Sequence, residues 1–501
     1  MALAPFFERV WGALGGHLAV SRESLNRVLD GVTIGIVCAK RCSQNDRWIA
    51  EFCVNLCARL YPRLHIAGPS ELCEELRRLA SAINPAIEFP DPTSSTTIIC
   101  IGATRAPDAL YPSARGWVAQ VGHSHAVTRG GPPNPYAAGA AAAFACAELF
   151  RRIFKKSPPE PDTSVSLLNY DHETGLSLQL PKRKAGEILV AGVGAIGNSA
   201  LWALARDDKA SGTLVLVDPE TIALSNLQRY VLAGMANVGE QKVALTQSLL
   251  GTTPWTVESR QLSLEQFAPE LLERKIPTTL ISVDNVSGRR AAQALLPRLV
   301  VNGWTGEDAL GTSWHIFSRE AACLACLYHP RGKGLSAVEQ AATALGLPHD
   351  RVALLWVTRQ PLTESDIRTA AATLGVMDSV LMRWRGKPIG ELYTDAVCGA
   401  VPLDVTGLGK VEIVPLAHQS ALAGLMMAAE LVKRTDRGLT QLAQPEVLVS
   451  WDDIMRPVPE IWRKPRAREP GCICGDADYQ SVYRSKWETS GTNRRPRPPT
   501  R

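Results

Sequence analysis

Three glycines in the run Gly192-Val-Gly194-Ala195-Ile196-Gly197 lie between an apolar stretch, EILVA (187–191), and a helix-prone one, NSALWALARD (198–207). Glycines at a strand-to-helix turn let the backbone bend tightly and approach a phosphate, and the N-terminus of the following helix offers amide donors and a partial positive charge. Asp218 closes the next apolar stretch, GTLVLVD, where a carboxylate can bind ribose hydroxyls. Taken alone this pattern predicts NAD as readily as ATP. The residues downstream favour ATP. SNLQR (225–229), GEQK (239–242) and SVDN (282–285) add Asn226, Arg229 and Lys242, all phosphate-binding types, and Asp284 at a strand end, a natural Mg²⁺ ligand with Asn285 beside it. Hydride transfer has no use for two extra cations and a metal carboxylate around a triphosphate. Each residue singly could be a surface charge on an ordinary dinucleotide fold; the ordered set carries the reading.

Cysteines form a second constellation. Cys323-Leu-Ala-Cys326 and the distant Cys472-Ile-Cys474 are spaced to close a tetrahedral Zn²⁺ site. Four thiolates leave no open position, so such a zinc is structural; the alternative is four free thiols. Cys398, in TDAVCGA, is a candidate nucleophile. Cys38, Cys42, Cys53, Cys57, Cys73, Cys100 and Cys146 read as core or bystander residues.

The elements that must position these groups are read from periodicity. The first block, about residues 20–156, alternates strands (GVTIGIVC, RLHIAG, TTIICIG, WVAQVG) with helices (NDRWIAEFCVNLCARL, PSELCEELRRLASAI with Ser70 as N-cap, and NPYAAGAAAAFACAELFRRIF), which predicts a parallel sheet. KKSPPEPDTS reads as a linker. The second block repeats the scheme, with EILVAGVGAIGNSALWALARD, GTLVLVD, TTLISVDN, RLVVNGWT and a late Ala-rich helix, AHQSALAGLMMAAELVKR. The fold class is therefore α/β with two Rossmann-like units, related as an internal duplication. The first lacks glycines after its opening strand, which runs into AKRCSQND, so it cannot bring its backbone close to a phosphate. The boundaries that follow are 1–156 for the inactive unit, 157–185 for the linker, 186–330 for the first part of the active unit and 331–400 for a helical insertion. Residues 401–475 complete the active unit with its zinc-binding end, and 476–501 form a basic, disordered tail.

Composition excludes several classes. The 501 residues are 46% hydrophobic and 21% charged, values of a chain with sizeable cores. The net charge of +5 is concentrated in RKPRAR (463–468) and NRRPRPPTR (493–501), which leaves the body without a nucleic-acid footprint. Glu8 and Arg9 interrupt any secretory signal, and the apolar run Pro135–Phe150 falls short of the ~20 residues that span a bilayer. Twelve scattered cysteines suit a reducing cytoplasm.

The order GxGxxG, Asp, SNLQR, GxxK and DN with Arg289 four residues on resembles the ThiF/MoeB/ubiquitin-activating superfamily, strongly over about 186–330 and in outline to 475. Tyr230 stands where the usual second glutamine of SNLQRQ would be. The resemblance implies that Arg229, Lys242 and Asp284 serve adenylation, neutralising the charge that develops when a carboxylate attacks the α-phosphate of ATP. It implies a structural zinc at the two cysteine pairs and a thioester-forming cysteine in the crossover region, at Cys398. It further implies an intramolecular, monomeric pseudo-dimer in which the inactive half lends an arginine from the segment before its first strand, at Arg22 or Arg27. A two-unit enzyme of this length without a terminal ubiquitin-fold domain is similar to the BilD-type enzymes of bacterial antiphage conjugation operons. That implies a ubiquitin-like partner bound through its C-terminal tail, transfer from Cys398 to a separate conjugating enzyme, and a role in antiviral defence; no conjugating module is read in the chain itself. The competing readings are activation of a sulfur-carrier protein, a peptide-adenylating natural-product enzyme that would not need Cys398, a non-enzymatic nucleotide scaffold and a NAD oxidoreductase.

Overall fold

The computed structural model describes residues 3–11, 22–91, 96–125, 130–155, 162–306, 309–329, 337–393, 415–444, 448–451, 461–464 and 466–487. The chain forms two compact units. One comprises Met1–Val10, Ser21–His329 and Pro415–Arg501; the other comprises Trp11–Val20 and Pro330–Val414.

From residue 22 the larger unit runs helix α1 (Arg22–Asp30), then β1 (Ile34–Cys38), α2 (Gln44–Cys57), β2 (Leu64–Ala67), α3 (Ser70–Ile83) and β3 (Thr97–Ile101). The three strands pair in parallel in the order β2-β1-β3, as two strand–helix–strand crossovers require. Pro69, not Ser70, occupies the N-cap of α3, and no side chain caps it. The alternation does not continue as one parallel sheet. β4 (Tyr111–Arg115), β5 (Val118–Gly122) and β6 (Thr163–Ser166) pair antiparallel in a sheet of their own. β5 is buried at every position, Gln120 included, so it shows no in-and-out alternation and its pairing cannot be read from periodicity. β6 also places part of the expected linker within the folded body: Leu167, Leu168 and Tyr170 are buried, and the Tyr170 hydroxyl donates to Glu430 Oε1 at 3.0 Å.

α4 (Pro135–Phe150) is capped by Asn134, whose side chain accepts from the Tyr136 and Ala137 amides, and it is buried on every face. Its small residues allow that. Gly139 meets the Leu425 side chain, where an added Cβ would stand 2.7 Å from a methyl.

β7 (Arg183–Ala191), α5 (Ala195–Arg206), β8 (Ala210–Val217), α6 (Lys242–Leu250), β9 (Trp255–Arg260), α7 (Leu264–Glu273), β10 (Thr278–Ile281) and α8 (Val286–Ala294) build the second region with β11 (Leu299–Thr305) and β12 (Leu310–His315). Its eight-stranded sheet runs β14-β13-β12-β11-β10-β7-β8-β9, where β13 is Leu448–Trp451 and β14 is Ile461–Lys464. The β11-β10-β7-β8-β9 half is parallel and the remainder antiparallel. The late helix α9 (Ala417–Thr435) packs on α5 and α4, joining the two regions. Gly424 makes that approach possible, since a Cβ there would lie 2.2 Å from the Ile196 carbonyl oxygen. Gly424→Ala should therefore destabilise the protein by about 1–3 kcal/mol, a cost of overpacking a rigid backbone contact; a denaturant midpoint unchanged from wild type would refute this.

Inside α9, Glu430 is fully buried and bonds Lys433 Nζ (2.6 Å), Arg434 Nε (3.2 Å) and Gln444 Nε2 (2.8 Å). Burial alone would raise its pKa, but the two cations and the amide hold it below the usual carboxylate range.

A final helix, α10 (Ala477–Trp487), corrects the expected tail boundary. Tyr483 packs on Phe317, and the Trp487 indole donates to the Leu296 carbonyl at 2.7 Å. The smaller unit is helical, as expected for the insertion. The PLTESDIRTAAATLG stretch forms a helix over Glu364–Leu374 with a Thr363/Asp366 capping box, and Leu345, Val352, Leu355, Ile367, Leu381 and Trp384 form its core.

Candidate adenylation site

The glycine run folds as its chemistry requires. Gly192 adopts φ +90°, and a Cβ there would stand 3.1 Å from the Ser282 carbonyl, so a side chain is excluded by both conformation and space. Gly197 faces the Gly192 carbonyl, 2.4 Å from where its Cβ would be. Ser282 Oγ donates to that same carbonyl at 2.8 Å, which ties the end of β10 to the turn. Gly194 is the N-cap of α5 and no side chain caps this helix, so Ala195, Ile196 and Gly197 open it with their amides uncommitted to a cap.

The first region shows the opposite arrangement at the matching turn. Ser43 and Asp46 form a capping box on α2, with Ser43 N donating to Asp46 Oδ2 at 2.8 Å and Asp46 N to Ser43 Oγ at 3.2 Å. A carboxylate thus occupies the helix terminus that a phosphate would need.

Asp218 directly follows β8 and accepts from the Val193 amide (2.8 Å) and the Glu220 amide (3.0 Å). Burial raises its pKa, with Lys242 opposing. Lys242 begins α6, is itself buried, and lies 3.9 Å from Asp218 while ion-pairing with the exposed Glu220. Its ammonium also lies 5.3 Å from the Tyr230 ring centroid. Burial would lower the Lys242 pKa, but Tyr230, Asp218 and Glu220 outweigh it and keep the ammonium more firmly protonated than a free lysine. Tyr230, the one departure from the SNLQRQ pattern, thus joins Lys242 to the phosphate turn: a Cβ on Gly194 would lie 3.6 Å from its hydroxyl.

Arg229 precedes Tyr230 on the same loop. Asn226 braces that loop, its side chain accepting from the Ala223 amide at 2.9 Å. Asp284 is exposed just beyond β10, and Asn285 donates to it at 3.2 Å while capping α8 through the Gly288 amide at 2.6 Å. A carboxylate held open at the strand end fits a Mg²⁺ ligand. Arg289 is structural: it is buried and donates to Asn302 Oδ1 and the Gly303 carbonyl, the latter at 3.2 Å.

Sequence reading missed Glu220, Ser282 and Asn198. Asn198 bridges the site from below, donating to the Val193 carbonyl (2.8 Å) and accepting from the Leu232 amide (3.1 Å). The expected arginine donors are not brought to this cluster by any contact among the described residues. Arg22 ion-pairs with Glu8, and Arg27 is an exposed residue of α1. Cys398 lies outside the described residues.

The four remaining cysteines converge. Cys323, Cys326, Cys472 and Cys474 are buried with all sulfurs within 4.8 Å of one another. Neighbouring pairs stand 3.9 Å (Cys323–Cys326), 3.7 Å (Cys323–Cys472) and 3.4 Å (Cys326–Cys474) apart. A tetrahedral ZnS₄ centre with bonds of about 2.3 Å places its sulfurs about 3.8 Å apart, so the donor set fits zinc, and the tighter CxC loop contributes both its sulfurs.

No helix among the described residues is long and apolar enough to cross a membrane. Comparison with known proteins adds three findings. Residues 38–155 match the model described as Prokaryotic E2 family C, a conjugating-enzyme name for a region in which no conjugating module was expected. The y4jF protein of Sinorhizobium fredii, an uncharacterized protein, is 34% identical over 517 residues covering 98% of each chain, so both regions occur together there too. Among solved structures, Escherichia coli MccB with MccA-N7isoASN matches at TM-score 0.35 and 14% identity over 57% of this chain and 66% of that one. MccB with ATP matches at TM-score 0.34 and 15% identity over 57% and 65%. Scores this low carry no argument about substrate. The model of the ThiF family matches residues 173–450, more than half of the sequence and the whole of the glycine turn, Arg229, Lys242 and Asp284, and the chain belongs to that family.

Proposed function

We propose that this protein uses Mg-ATP to adenylate the C-terminal carboxylate of a ubiquitin-like protein and then passes the acyl group to a thiol. ThiF-family membership supports ATP-dependent adenylation of a carboxylate. The observation that carries the reading is the convergence of Lys242, Asp218 and Tyr230 on the uncapped turn at Gly192–Gly197. Two anions must meet, the carboxylate and the triphosphate, and a firmly protonated lysine beside an open helix N-terminus lowers that repulsion. The carboxylate oxygen attacks the α-phosphorus, the bond to the pyrophosphate oxygen breaks, and pyrophosphate leaves. Asp284 would hold Mg²⁺, which neutralises the leaving group. A thiolate then attacks the acyl carbon and AMP leaves.

The proposed first acceptor is Cys398, with onward transfer to a conjugating enzyme; antiviral defence is proposed as the setting, on the resemblance of the sequence pattern alone. A second reading rests on the Prokaryotic E2 match. In it the conjugating step takes place in the chain's own first region. Cys42 is the only cysteine of that region that is not buried. It sits directly before the N-cap of α2, and its pKa is lowered by the hydrogen bond with Cys38.

A non-reducing gel with Mg-ATP and a candidate ubiquitin-like protein separates these. Cys398→Ala should abolish a thiol-sensitive adduct if Cys398 is the first acceptor. If Cys42 is the second, Cys42→Ala should leave the Cys398 adduct in place and block its onward transfer. Pyrophosphate exchange with no adduct in the wild type would remove the thioester step and retain adenylation.

A further inference from the structure

The loop that carries Arg229 and Tyr230 is gripped from the first region. Arg59, in the turn after α2, is 1% exposed. Its guanidinium donates to the Leu227 carbonyl, to the Ala233 carbonyl at 3.1 Å and to Asn55 Oδ1 at 3.1 Å. Asn55 in turn donates to the Val231 carbonyl at 2.8 Å. Gly234 rests against the end of α3, where a Cβ would lie 2.6 Å from the Ala82 carbonyl oxygen. These contacts fall on both sides of Arg229 and Tyr230.

We infer that Arg59, with Asn55, is a positioning residue of the adenylation site, through which the first region sets the loop that presents Arg229 and brings Tyr230 against Lys242. This rests on the adenylation reading for its kinetic consequence; the clamp itself does not.

Chemistry favours positioning over filling. Burying an ion costs several kcal/mol, so an apolar side chain would be the cheaper wedge at this seam. Among the described residues Arg59 has no carboxylate partner. Its charge is met by carbonyl dipoles, and burial lowers its pKa to about 9. A planar fork of donors can hold diverging carbonyls at fixed angles, which a lysine or an aliphatic chain cannot. Asn198 of α5 fixes the Leu232 amide and the Val193 carbonyl. The loop is therefore held between the phosphate turn and the first region, and release of either grip would let Arg229 and Tyr230 drift. Arg59 is distinct from the expected donors Arg22 and Arg27: it lies after the first strand and acts on the loop backbone.

The test uses the full chain carrying Arg59→Met, Arg59→Lys or Asn55→Ala, with ATP–pyrophosphate exchange kinetics, in the presence of a ubiquitin-like protein with a free C-terminal carboxylate, and amide hydrogen exchange as readouts. Arg59→Met should lower kcat about 100-fold with KM for ATP changed far less, as expected for a small misplacement of a transition-state group. The amides of 229–233 should exchange at least about tenfold faster while those of β7 and β10 keep their protection, a local rather than global opening. Arg59→Lys should fall between. Wild-type kcat and wild-type protection in Arg59→Met would overturn the inference, as would an equal loss of protection throughout the sheet. If Arg59→Met does not fold, Asn55→Ala, which removes only the Val231 and Arg59 bonds, carries the same pattern at smaller amplitude, and its absence there overturns the inference equally. A wild-type chain with no pyrophosphate exchange would refute adenylation, and the exchange pattern at 229–233 would still decide the clamp.

Discussion

Replacing Lys242 by methionine should lower kcat for pyrophosphate exchange about 100- to 1,000-fold, the usual loss when one preorganised donor to a developing anion is removed. Lys242 is buried, firmly protonated and shared by Asp218, Glu220 and Tyr230 at the turn itself. Truncation should do only moderate harm to the fold. Glu220 is exposed to solvent, and Asp218 keeps its two backbone amide donors. Circular dichroism near wild type with exchange lost would match this account. A variant that folds and exchanges at the wild-type rate would place the triphosphate elsewhere.

The second large effect concerns the four-cysteine centre. The purified protein should contain one zinc per chain, and Cys326→Ser should release it and lower stability on the order of 5 kcal/mol, as loss of a structural metal does. The damage should be directional. Cys472 and Cys474 tether the end of the chain to Cys323 and Cys326, and α10 packs on Phe317 and Leu296 immediately beside them. Amides of 472–487 should therefore lose protection first, with β7 and β8 following only at higher temperature. Metal analysis by mass spectrometry together with hydrogen exchange checks both parts; a protein free of zinc with intact protection at 472–487 would show that four thiols pack there without a metal.

Much of the site could be read from short-range pattern because it is built from short-range geometry. A strand, a glycine turn and a helix are contiguous, so Gly192 to Gly197 declare themselves, and Asp218 and Lys242 follow at the ends of the next elements. The CxxC and CxC pairs were legible for the same reason, although they lie far apart in the sequence and only the fold brings them together. Side chains that serve the backbone were harder to assign. Asn226 and Asn285 have the chemistry of ligands, yet each gives its carbonyl oxygen to an amide of its own loop or helix. Tertiary partners left no local trace at all. Nothing near Arg59 in sequence marks the carbonyls of 227 and 233, and nothing near Tyr170 marks Glu430. β6 escaped notice because a four-residue strand among prolines and polar residues has the composition of a linker until it meets β5.

Radiolabelled pyrophosphate exchange into ATP by the full chain with Mg²⁺ is the most direct test of the central claim, with a ubiquitin-like protein as substrate in free-carboxylate and C-terminally amidated forms. The account predicts exchange that needs the free carboxylate, yields AMP and pyrophosphate rather than ADP and phosphate, and disappears in Lys242→Met. Exchange that ignores the carboxylate, or ATP turnover to ADP alone, would contradict it.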